Sequence, residues 1–153
     1  MENKEQIPNR VDGWEDRLRS VFTQWSTLPF VWGSSDCFCF AGTCVEALTG
    51  SNPMERFKGT YETEEQARKL FSDGLNDVSG RFYKADDMIG YVRLFMGQEK
   101  PIEKAQRGDV VFCDGGPHFL GVVSMNSNRI ACMNFPRGMI FLPTRLGKIA
   151  WTV

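Results

Sequence analysis

Apolar positions recur at spacings of three and four through Trp14, Leu18, Val21, Phe22 and Trp25. That repeat marks one face of an amphipathic helix, and Asp12 stands where it can cap the start. Leu28-Pro29 stops this helix, and Phe30-Val31-Trp32-Gly33 reads as a short extended piece and a turn. From Cys37 to Leu48 the chain is apolar on nearly every side, which predicts a buried central helix. Asp36 holds the N-cap position and Gly50 the C-terminal stop. Thr63-Glu64-Glu65-Gln66 has the capping-box pattern, with Ala67, Leu70 and Phe71 as the inward face and Gly74 as the stop. Asp86 or Asp87 opens another helix through Met88, Ile89, Val92 and Phe95, closed by Gly97.

After Pro101 the pattern changes to short apolar runs separated by turn residues. Gly108-Asp109-Val110-Val111-Phe112 begins a strand, and His118 to Met125 supplies a second. Asn126-Ser127-Asn128 turns the chain, Arg129 to Asn134 returns, and Met139–Leu142 and Lys148–Val153 add further strands. Helices first and an antiparallel sheet second predict an α+β domain. The length of 153 residues suits a single domain spanning 1–153.

Composition narrows the function classes. Hydrophobic residues make up 42% and charged residues 24%, values of a globular chain rather than a disordered one. The net charge of −1 gives no electrostatic drive towards nucleic acid or an anionic membrane, so neither is expected as a partner. The polar start Met1-Glu2-Asn3-Lys4-Glu5-Gln6 lacks the apolar run of a secretory signal. No stretch approaches the roughly 18 apolar residues of a bilayer span. Synthesis in a cytosol without membrane insertion is the expectation. Five cysteines, at 37, 39, 44, 113 and 132, form an odd set. Free thiols are therefore expected rather than a disulfide framework.

One thiol has the placement of a nucleophile. Cys37 follows the capping Asp36 at the head of the apolar helix, where unpaired backbone N–H groups favour a thiolate. The same groups suit an oxyanion formed when a carbonyl is attacked. The general base that such chemistry needs has one candidate, because His118 is the sole histidine. Other clusters read more simply. Cys37, Cys39 and Cys44 fit no common zinc spacing, and a two-residue step turns a helix by about 200°, so Cys39 opposes the other two. Asp86-Asp87 reads as a solvated cap, and Glu62, Glu64 and Glu65 as an acidic helix start. Gly115-Gly116 is a turn rather than a phosphate loop.

The segment Leu28-Pro29-Phe30-Val31-Trp32-Gly33-Ser34-Ser35-Asp36-Cys37 resembles the nucleophile motif of NlpC-type papain-like cysteine peptidases. There a Pro-Tyr-x-Trp/Tyr-Gly turn leads to Asp-Cys at the head of the central helix. Residues Gln106 to Phe112, followed by His118-Phe119-Leu120-Gly121-Val122-Val123, resemble the Pro-Gly-Asp-Leu-Val-Phe and His-Val-Gly-Ile strands of that family. The closing Gly138-Met139-Ile140-Phe141-Leu142-Pro143 and Ala150-Trp151-Thr152-Val153 are similar to a compact branch encoded in tailed-phage tail gene clusters.

The resemblance implies a papain-like fold with the central helix packed on the sheet, and no cofactor. It further implies an endopeptidase on peptidoglycan stem peptides, assisting cell-wall penetration from a virion tail tip among other tail-tip proteins. Its alternative is a degenerate structural component of the same assembly. Cys37 is then the nucleophile, His118 the base, and a polar residue on the returning strand orients the imidazole. On the face Ile130, Cys132, Asn134 only Asn134 is an ordinary orienting group. Two departures stand out. Phe30 replaces the motif tyrosine, whose hydroxyl helps to frame the site. A gapless match puts Phe119 in the place of the histidine, so His118 requires a bulge or a local shift.

Overall fold

A computed structural model describes residues 8–96, 98–114 and 118–153; of Met88 and His118 only the backbone is described. Helix α1 spans Trp14–Trp25 and buries Leu18, Val21 and Trp25. Its N-cap is Gly13 in the left-handed conformation, with no side-chain cap bond, so Asp12 does not serve as the expected cap. Helix α2 spans Cys37–Thr49, with Asp36 as N-cap and a left-handed Gly50 as C-cap. Phe38, Phe40, Ala41, Cys44, Val45 and Leu48 are all buried along it. Full burial of each large apolar side chain is worth about 1.5–3 kcal/mol, which makes α2 the hub of the core. Helix α3 (Glu64–Asp73) is capped by Thr63, whose hydroxyl accepts from the Gln66 N–H. The Gln66 side chain reaches back to the Glu62 N–H, one residue before the reciprocal position of a capping box.

Two short strands, β1 (Leu75–Asn76) and β2 (Phe82–Tyr83), pair antiparallel. Helix α4 (Met88–Phe95) is capped by Asp87, so the second of the two candidate aspartates starts it. Gly97, expected to close α4, lies outside the described residues. The main sheet contains β3 (Glu99–Pro101), β4 (Val110–Asp114), β5 (His118–Val123), β6 (Arg129–Asn134), β7 (Gly138–Pro143) and β8 (Gly147–Trp151). Their order is β3-β8-β4-β5-β6-β7, antiparallel throughout. The architecture is α+β.

The sheet carries a different apolar cluster on each face. Val110, Phe112, Leu120, Val122, Ala131 and Met133 join the helices in the larger cluster, with α2 packed on β5 and β6. Val111, Cys113, Phe119, Val123, Ile130 and Cys132 form a second cluster. Successive residues of a strand face opposite ways, so each strand feeds both. At the far end of the sheet, the fully buried Asp109 accepts from the Gln106 and Val153 N–H groups. It also pairs with Arg10 at 3.4 Å and Lys100 at 2.5 Å. One carboxylate thus joins the chain before α1, β3, β4 and the residues after β8. No helix among the described residues is long and apolar enough to cross a membrane.

Candidate functional site

The nucleophile position is built by the turn before α2. Asp36 is 2% exposed and its two oxygens have separate tasks. Oδ1 accepts from the Cys39 N–H at 2.9 Å, the bond of an N-cap. Oδ2 accepts from the Gly33 N–H at 2.8 Å and from the Tyr61 hydroxyl. Gly33 is required here for two reasons. Its φ is +78°, and a Cβ would lie 1.9 Å from the Tyr61 carbonyl oxygen. The Gly33 carbonyl accepts from the Gly59 N–H at 2.9 Å, so the loop carrying Tyr61 is bonded to the turn at both ends. The Ser35 hydroxyl donates to the Pro29 carbonyl at 2.6 Å and closes the turn on its other side.

Cys37 therefore heads α2 with its thiol held against β5. Backbone groups of alternate residues in an antiparallel strand point to opposite neighbours. Val123 exchanges its backbone bonds with the chain entering β4, so the Leu120 N–H faces β6. The β5–β6 ladder includes only Val122–Ala131 and Val123–Ile130, which leaves the Leu120 N–H beyond its end. Together with the N–H groups of Cys37 and Phe38, it acts on the Cys37 sulfur in the direction that lowers its pKa. Those three donors favour a thiolate, yet they are outweighed. Burial, and then the Asp36 carboxylate, push the Cys37 thiol up to about 12. The helix start does lower this pKa, as expected, but the resting group is a neutral thiol.

Around it, Cys37 packs against both clusters and interacts electrostatically with Cys132. All five cysteines are free. Burial drives each of the other four thiols upward as well. Cys44 lies fully inside the larger cluster, and Cys39, also a member of it, feels the Asp36 charge and Cys37.

The remaining candidates are placed by strand phase. His118 is the first residue of β5, opposite Asp114 on β4, and its side chain lies outside the described residues. The β4–β5 ladder runs from Val110–Val122 to Asp114–His118 with no register shift. No bulge there moves position 118 into the phase of Phe119. Phe119 and Val123 put one β5 face in the second cluster, while Leu120 and Val122, in the phase of position 118, lie in the larger one; Cys37 touches both clusters. Asn134 ends β6, paired with Gly138, one strand period beyond Cys132. It makes no side-chain hydrogen bond among the described residues, and Cys132 is the member of that face that feels Cys37.

Phe30 carries no hydroxyl and packs edge-on against Trp32, at 4.8 Å between centroids. The buried hydroxyl of this region comes instead from Tyr61. Sequence reasoning missed it because Tyr61 sits in the polar run Gly59-Thr60-Tyr61-Glu62, which has no period and no spacing to the cysteine. Cys132 lies on the period-two face Ile130, Cys132, Asn134 of the returning strand, where only Asn134 reads as an ordinary orienting group.

No curated protein matches the chain. A family described as a domain of unknown function (DUF6950) matches residues 9–153. With nearly its whole length covered, the chain belongs to the DUF6950 family.

Proposed function

We propose that the chain is an NlpC-type cysteine peptidase domain that cleaves peptidoglycan stem peptides, working in a phage tail tip during cell-wall penetration. The observation that carries this reading is the setting of Cys37. It heads a buried helix capped by Asp36, with backbone N–H groups of the helix start and of Leu120 favouring its thiolate. The packing of α2 on an antiparallel sheet is consistent with the same reading. Because the resting thiol is neutral, attack requires a base to take the Sγ proton as the C–S bond forms. His118 is assigned that role. The carbonyl oxygen gains the negative charge, stabilised by N–H groups at the start of α2. The protonated imidazole then gives its proton to the leaving amine as the C–N bond breaks. Water, deprotonated by the same imidazole, hydrolyses the thioester and returns the thiol. Asn134, or another polar residue near β6, orients the ring.

A second reading is favoured by one specific observation: burial keeps the Cys37 thiol protonated. Under it, the domain retains the fold and Cys37 but serves the tail tip as a docking component. Digestion of purified muropeptides separates the two. The peptidase reading predicts cleavage by the native chain and none by Cys37→Ala; equal product from both removes it. The docking reading predicts no cleavage by either.

A further inference from the structure

We infer that Tyr61 is the positioning residue of the Cys37 site, acting through its hydroxyl bond to the Asp36 carboxylate. The inference deepens the peptidase reading and rests on it for its place in a reaction, while its test needs no turnover. Tyr61 is 3% exposed and Asp36 2%, so their bond is closed to water. Twenty-five residues separate them in sequence, and the bond joins two stretches of chain that no helix or strand ladder connects. Each has a second tie beside it, from the Gly59 N–H to the Gly33 carbonyl. Burial and the adjacent carboxylate keep the phenol protonated, so it acts only as a donor towards Asp36.

Two consequences follow for Cys37. The first is geometric, because Asp36 fixes both Gly33 and the first turn of α2, which sets where the sulfur stands. The second is electrostatic. The Asp36 charge disfavours the thiolate of Cys37, and the Tyr61 O–H dipole offsets part of that charge at Oδ2. Among the described residues, the thiols of Cys39 and Cys132 also face this region, and Lys58 acts on Cys39. Asp36 is thus a carboxylate that acts on the sulfur, and the Tyr61 hydroxyl donates to it.

The test follows alkylation of Cys37 by iodoacetamide between pH 7 and 10, read by mass spectrometry of the Cys37 peptide. Tyr61→Phe keeps the ring and removes the hydroxyl. It is expected to slow alkylation by about threefold or more at fixed pH, since a shift of one pKa unit is a tenfold change in thiolate. In the Asp36→Asn background, which keeps an N-capping side chain, the same substitution is expected to change little. A faster or unchanged rate in Tyr61→Phe overturns the inference. So does an equal change in both backgrounds, which is the signature of packing alone. Circular dichroism confirms that each variant is folded. Absence of muropeptide cleavage by the native chain sinks the peptidase reading but leaves this rate comparison intact.

Discussion

At the scale of single residues, the decisive quantity is the protonation of Cys37. A helix start, a capping aspartate and an adjacent strand N–H all surround one sulfur, yet burial outweighs the donors and raises its pKa to about 12. A thiol titrating higher in the folded state than in the unfolded chain, where the value is roughly 8.5, stabilises the fold below that lower value. The contribution is lost as pH rises towards the folded value. Cys113, pushed up to about 12, acts in the same direction. The melting temperature is therefore expected to fall between about pH 9 and 12, with a smaller fall in a Cys37→Ser, Cys113→Ser chain. An identical alkaline fall in both chains contradicts the assignment. The position of Cys37 was legible in the sequence because caps and apolar runs are local patterns. Its ionisation was not, because that depends on how β5 closes over the sulfur.

Among the elements, α2 and the turn before it define the site. Asp36→Ala removes a cap and leaves the Gly33 N–H and the Tyr61 hydroxyl without their acceptor. A lost cap costs about 1 kcal/mol and each unsatisfied buried group about 1–3 kcal/mol. Denaturant unfolding is expected to show a loss of about 3 kcal/mol, with Asp36→Asn losing clearly less. Equal losses in the two variants would contradict the three-bond role of the carboxylate. The same turn explains what pattern reading sees and what it misses. Asp36, Cys37 and Gly50 form a cap, start and stop within one helix, so α2 was readable to within a residue at its end. The three-residue β3 ends in a proline and exists because β8 pairs with it, which no local period announces. The phase of β5 lay between these cases. The gapless alternation favoured Phe119 on the second face, and the unshifted ladder places it there.

Across the whole molecule, a central helix packs on one face of a six-stranded sheet, and Asp109 clamps the end remote from Cys37. Replacing Asp109 by Asn keeps the size of the side chain and removes the charge that Arg10 and Lys100 share. Breaking a buried pair by removing one partner costs about 3–5 kcal/mol, and the partly exposed cations here regain some hydration. A loss of about 2–4 kcal/mol is expected by denaturant unfolding, with Cys37 alkylation below the transition unchanged. A loss under about 1 kcal/mol would show that the clamp is dispensable. The clamp was hidden in the sequence, because Arg10 lies 99 residues from Asp109 and the set carries no motif. The α+β order, by contrast, was readable from the change of period after Pro101.

The central claim is that Cys37 is a nucleophile that acylates on a peptide substrate. Intact mass spectrometry after rapid acid quench of the protein with stem peptide tests it most directly. The account predicts a mass increase equal to the acyl part of the substrate, mapped to the Cys37 peptide, reversed by hydroxylamine and absent from Cys37→Ala. No adduct on the native chain and an intact stem peptide, or the same adduct on Cys37→Ala, would contradict it.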